Sequence, residues 1–195
     1  MSLIDVYPID SIPPEPWRNG GGVTKTIATG GSQWRVSLAS IERDGPYSRF
    51  PGMSRVSLVL SGNGVTLQNR DSVVQLRPLV VATYDGDKVW DATLVDGPSM
   101  ALNAMTVKGR YRANVRLVNE PVVVRPGCAV VAIALDRGCT FAEGTDTVDS
   151  AVLSGNVLVS ELHARPLRLA PQFASADTAG REPHAVLVTI EPAPV

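Results

Sequence analysis

Between Ile4 and Ile190 the sequence is a succession of short apolar or alternating runs, each closed by a glycine, a proline or an Asn/Asp turn. Trp34 to Ile41 is the clearest: Trp34, Val36, Leu38 and Ser40 fall on one face, Arg35, Ser37, Ala39 and Ile41 on the other. The second face is the smaller and more polar, and suits either a cavity wall or an exterior surface. Similar runs begin at Ile4, Thr24, Val56, Val65, Ser72, Leu79, Val89, Met100, Tyr111, Val122, Cys128, Cys139, Val148, Val157, Leu167 and Ala185. No window carries a sustained helical period. Many short strands with Gly/Pro turns predict an all-β sandwich, barrel or jelly roll. Ser61-Gly62-Asn63-Gly64 reads as a hairpin turn. Gly45 to Gly52 reads as a loop carrying Tyr47 and Phe50, and Pro171 to Pro183 as a long polar loop. Val56–Leu67 is echoed by Cys128–Phe141, each an apolar strand, a glycine turn and a returning strand with a central Thr, which is compatible with two repeated β units.

The chemistry concentrates in Pro16-Trp17-Arg18-Asn19-Gly20-Gly21-Gly22-Val23-Thr24. Pro13, Pro14 and Pro16 make its approach rigid and extended. Trp17 offers a flat apolar face, Arg18 a planar fork suited to a carboxylate or phosphate, and Asn19 both a donor and an acceptor. The glycines let a ligand or another backbone come close, and successive N–H groups in such a turn can cradle an anion.

This stretch resembles the signature of the HutD/Ves family: Trp, a cation, Asn, three glycines, any residue, Thr. Trp34-Arg35-Val36-Ser37-Leu38-Ala39 with Asp44-Gly45-Pro46-Tyr47-Ser48, Phe50-Pro51-Gly52 with Arg55, Tyr84-Asp85-Gly86-Asp87, and Leu102-Asn103-Ala104-Met105 resemble further family blocks in the same order. Ser54 and Ala101 stand where the family often has Asp. The resemblance implies a bicupin-like protein, two antiparallel jelly-roll halves in one unit over 1–195, divided near 118/119, and an association with histidine utilisation. It also groups Trp17, Arg18, Asn19, Gly20, Gly21, Ser37, Arg55 and Asn103 as ligand-binding residues. Arg35, taken singly, reads as a solvated surface arginine.

A chain of 195 residues with net charge −1 has no basic surface for nucleic acid. No run is long and apolar enough to span a membrane, and Met1–Asp5 shows no signal peptide, so a cytoplasmic location is expected. Cys128 and Cys139 form no CxxC and read as reduced core residues, although pairing across strands is open to them. His163 and His184 are the only histidines and read as surface positions. A metal held by both with Glu161 or Glu182 is disfavoured, because the first half has no imidazole. Neither a nucleophile elbow nor a nucleotide loop is present. Asp85 and Asp87 could act as paired carboxylates, but read better as turn caps.

The sequence therefore predicts a protein without cofactor or metal that binds a small carboxylate metabolite, such as an acylated glutamate of histidine breakdown, in a regulatory or protective role. Nucleic acid and membrane are not expected partners, and a homodimer is left open. The competing readings are a metal-independent isomerase or hydrolase using Asp87 as base, and a scaffold with a vestigial pocket.

Overall fold

The structure, a computed structural model, describes residues 4–145, 149–161, 164–172 and 183–194. It is built from strands: β1 (Ile4–Pro8), β2 (Glu15–Pro16), β3 (Gly22–Thr29), β4 (Trp34–Ile41), β5 (Gly45–Tyr47), β6 (Met53–Ser61), β7 (Val65–Gln68), β8 (Val73–Leu76), β9 (Ala82–Asp85), β10 (Trp90–Leu94) and β11 (Ser99–Val107). A second series follows: β12 (Tyr111–Val118), β13 (Val122–Val124), β14 (Ala129–Ala134), β15 (Cys139–Glu143), β16 (Ser150–Val152), β17 (Asn156–Ser160), β18 (Leu167–Pro171) and β19 (Ala185–Pro192). Among the described residues the single helical element is a 3-10 turn at Ile9–Ser11.

Strands β4 to β11 form one jelly roll. One sheet runs β4-β11-β6-β9 and the other β5-β10-β7-β8, with β3 and then β2 added beyond β4. Strands β12 to β19 repeat that order position for position, as β12-β19-β14-β17 and β13-β18-β15-β16, with β1 added beyond β17. All strand pairings within these sheets whose register is defined are antiparallel.

The chain separates into two units: Ile12–Ala113 with the segment from Pro192, and Asn114–Glu191 with the residues through Ser11. The first strand therefore groups with the strands that follow Ala113. β1 pairs along its whole length with β17, from Ile4 opposite Ser160 to Pro8 opposite Asn156. Alternation identifies a strand but carries no information about its partner.

Two expectations change. The Ser61–Gly64 turn is not a hairpin, because β6 and β7 lie in different sheets and the turn is a corner between them. The Cys128–Phe141 segment makes the equivalent corner between β14 and β15, so the echo marks equivalent strands of two rolls. Gly45–Tyr47, read as loop, is a short strand that places Tyr47 opposite Trp90.

The first roll buries Ile41, Val59, Leu67, Leu76, Trp90 and Ala101 between its sheets. The second is filled by Val130, Ala132, Leu158, Leu167, Leu169 and Leu187. Cys128 and Cys139 are free thiols in that second interior. Burial pushes the Cys139 thiol up to about 11, which keeps it protonated and inert. His184 is not at the surface: it is buried, and its Nδ1 lies 3.2 Å from the Gly138 carbonyl oxygen. His163 and Glu182 lie outside the described residues. Among the described residues no helix is long and apolar enough to cross a membrane, and no group of three or more His, Cys, Asp or Glu could hold a metal ion.

Candidate functional site

Register builds the site. Asn103 on β11 lies opposite Ser37 on β4 and opposite Ser57 on β6. In the next same-face row Met105 lies opposite Arg35 and Arg55, and Arg55 lies opposite Tyr84 on β9. Two residues the other way the row is Ala39, Ala101 and Val59. One interior face thus changes along its strands from apolar to polar. The polar end forms a small, partly open chamber of about 20 Å³, lined by Ser37, Arg35, Arg55, Asn103, Met105 and the rings of Trp17, Tyr47 and Phe50. That is room for about one water.

Arg55 is the chemical centre of this chamber. It is 3% exposed. Its Nη1 donates to the Ser48 carbonyl and its Nη2 to Asn103 Oδ1, both at 3.0 Å. Its guanidinium lies 4.6 Å from the Tyr47 ring centroid and 5.0 Å from those of Phe50 and Tyr84. These faces stabilise the cation through their quadrupoles. Its Nε has no hydrogen-bond partner although it is buried. Among the described residues, no carboxylate lies within ion-pair distance of Arg18, Arg35 or Arg55. A buried cation without a counter-charge is costly, and so is an unsatisfied buried donor.

Donors outnumber acceptors around it. Asn103 Oδ1 receives Arg55, Ser57 at 2.7 Å, Tyr47 at 3.4 Å and Tyr84 at 3.5 Å. An amide oxygen has only two lone pairs. Ser57 Oγ and Tyr84 OH also share a bond of 2.9 Å. Burial, reinforced by Tyr47, pushes the Tyr84 phenol far above its ordinary range, so it stays a neutral donor.

Beyond the chamber lies an open cleft of about 730 Å³, lined by Arg18, Arg35 and Arg49 against the one carboxylate of Glu15. The two cavities share Trp17, Thr24, Arg35, Tyr47, Ser48 and Phe50. Arg35 is half-buried with its guanidinium 5.0 Å from the Phe50 centroid, which corrects its reading as a solvated surface residue. Burial lowers its pKa, Glu15 opposes that shift and Arg55 adds to it.

The Trp17–Gly22 loop plays a different part from the one expected. Trp17 donates Nε1 to Thr24 Oγ1 at 2.8 Å and meets Tyr47 edge-on at 5.9 Å. Asn19 donates Nδ2 to the Pro46 carbonyl at 2.9 Å and accepts the Gly21 N–H at 3.0 Å. The Gly20 N–H goes to the Trp17 carbonyl at 2.9 Å, in a turn that needs the positive φ of Gly20. The amides of Gly20 and Gly21 are therefore satisfied inside the loop and do not face an anion. Of the grouped residues, Trp17, Ser37, Arg55 and Asn103 share the chamber, while Arg18 and Asn19 line the outer cleft and not the chamber, and Asn19 also borders a side cleft. Gly21 lines a separate side cleft of about 120 Å³, and Gly20 lines none of these cavities.

Comparison with known proteins decides the family. The HutD family profile matches residues 10–178. The chain belongs to the HutD family. Protein Ves of Escherichia fergusonii is 31% identical over 183 residues, 84% of this chain and 96% of that one. The structure of HutD from Pseudomonas fluorescens SBW25 is similar with a TM-score of 0.77 at 21% identity, covering 98% of this chain and 100% of that chain. A cupin 2 conserved barrel domain protein from Leptotrichia buccalis aligns with a TM-score of 0.55 at 13% identity, over 96% of both chains. The fold is all-β and cupin-like.

In this HutD-family chain, Tyr47 and Phe50 line the chamber, and Ser57 and Tyr84 back it through Asn103 and Arg55, without having been singled out as ligand residues. Three of them sit in the blocks that resemble the family. Ser57 had its own signal, two residues from Arg55 on one face of β6. Asp85 and Asp87 line neither the chamber nor the cleft. Asp85 caps the Asp87 N–H at 2.8 Å, Asp87 caps the Gly52 N–H at 2.6 Å, and Lys108 contacts both carboxylates at 2.5 Å. Lys108 and these backbone donors hold both carboxyls below the usual range, which makes Asp87 a weak base.

Proposed function

We propose that this HutD-family chain is a metal-independent cytoplasmic protein that binds a small carboxylate at Arg55, in a regulatory or protective role. The supporting observation is the buried Arg55 guanidinium, with an unpartnered Nε, no carboxylate in range among the described residues and surplus donors around one acceptor. An incoming carboxylate supplies the missing acceptors and the missing charge. Arg18, Arg35 and Arg49 draw anions into the cleft. The family link to histidine utilisation makes acylated glutamates the first ligands to try.

The test is calorimetric titration and thermal shift with formate, acetate, glutarate and an N-acylglutamate, on protein stripped of metal by a chelator. Ligand at about a hundredfold over its dissociation constant adds roughly 2.7 kcal/mol of stability. Neutral amides of the same shape should add none. A chelated protein that responds to no carboxylate at concentrations saturating a millimolar site would end this reading.

A further inference from the structure

We propose that the Phe50 side chain is the door of the chamber and sets the width of carboxylate that reaches Arg55; this rests on the carboxylate reading above. The chamber of about 20 Å³ holds one water-sized group, whereas even the smallest carboxylate has three heavy atoms. For a whole carboxylate group, rather than one oxygen, to reach Arg55, part of the wall must move.

Five of the other wall residues are held, and Arg35, which also borders the open cleft, meets the Phe50 ring at 5.0 Å and would move with it. Ser37 and Asn103 are buried on paired strands. Arg55 is fixed by Ser48 and Asn103, and Trp17 by Thr24. Tyr47 is buried on β5, with its hydroxyl 3.4 Å from Asn103 Oδ1. Phe50 has no such anchor. Its ring is half-buried, lines both the chamber and the open cleft, and is held by ring-face contacts with Arg35 and Arg55 at 5.0 Å each.

The backbone beneath it is clamped. Phe50 N–H donates to Gly86 O at 2.9 Å, Met53 N–H to Phe50 O at 3.2 Å, and Arg49 Nε to Asp87 O at 2.7 Å. Gly52 N–H is capped by Asp87. A Cβ on Gly86 would stand 2.6 Å from Met53 O and 2.7 Å from Phe50 O, so only glycine permits this tight seat. Opening therefore takes a side-chain rotation into the cleft rather than a loop excursion. The ring lies against two guanidiniums at once. Turning it out uncovers both to one carboxylate, which replaces the ring as their electron-rich neighbour.

The experiment measures affinity for formate, acetate, propionate, pivalate and benzoate in wild type, Phe50→Leu and Phe50→Ala, with thermal melts to establish folding. Wild type should lose roughly tenfold or more between acetate and pivalate or benzoate, the scale on which an apolar wall rejects extra carbon. Phe50→Ala should flatten or reverse that series. Phe50→Leu should fall between, and it carries the test if the alanine variant does not fold. The same size profile in wild type and both variants overturns the door and leaves the carboxylate reading standing. A wild type that binds benzoate as well as acetate also overturns it. Failure of every variant to bind any acid overturns the reading on which it rests.

Discussion

Replacing Arg55 with methionine separates a ligand site from a structural pin. Met keeps an unbranched apolar stem and removes the charge. The folded protein loses two hydrogen bonds to a charged group, to Ser48 O and Asn103 Oδ1, together worth about 3–6 kcal/mol. It also loses the ring-face contacts. In return it sheds a desolvated cation, whose burial costs several kcal/mol, and an unsatisfied Nε, about 1–3 kcal/mol. Asn103 Oδ1 keeps its 2.7 Å bond from Ser57, so no new orphan acceptor appears there. These opposing contributions offset one another to within about 3 kcal/mol, so Tm should move by no more than about 6–12 °C for a chain of this size. Carboxylate binding should weaken by about 1.5–3 kcal/mol, roughly ten- to a hundredfold. Thermal melts and calorimetric titration with acetate read the two effects on one sample. A variant that melts far below wild type would show Arg55 to be a structural pin. A variant that binds acetate as wild type does would place the carboxylate elsewhere.

Three other outcomes follow from the geometry. Gly22→Ala would put a Cβ 2.1 Å from the Ser40 carbonyl oxygen across β3 and β4, and should destabilise by about 1–3 kcal/mol or more in a denaturant melt; an unchanged midpoint would refute that contact. Asp85 and Asp87 have depressed pKa values, so their contribution is fully present above the ordinary Asp range and is lost as pH falls through the folded values. The protection of the Gly52 amide against exchange, relative to its intrinsic rate, should fall in that acid window, and Lys108→Met should move the window upward. Cys139 should resist iodoacetamide at pH 8 in the native state, because burial holds its thiol near 11, and labelling at the rate of a free cysteine would contradict that environment.

The strands were legible because alternation and turn residues are local signals. Trp34–Ile41 was read to the residue. Partnership was not legible. β1 reads as a strand whether it pairs with β17 or with a neighbour in sequence, and Asn63-Gly64 marks a tight reversal whether the chain returns alongside or crosses to another sheet. The same limit governs the site. Ser37, Arg55 and Asn103 meet only because register sets them in adjacent rows, and no property of any one residue encodes that row. Arg35 looked solvated because a lone arginine between small residues usually is. Its guanidinium meets Phe50, which the sequence places in a loop fifteen positions away. The glycines after Asn19 could be read for their permissiveness, but not for whether their amides would face a ligand or close a turn.

The borrowed place of β1 bears on how this polypeptide tolerates trimming. A chain beginning at Ile12 keeps every residue of the chamber and the cleft. It nevertheless strips the cover from one side of β17, leaving Asn156–Ser160 with main-chain N–H and C=O groups open to any other extended chain. Proteolysis near Ile9–Ser11, or a bulky fusion that pulls the first strand away, would damage solubility before it touched ligand affinity. A shortened form that precipitates while its soluble fraction still binds would carry that signature.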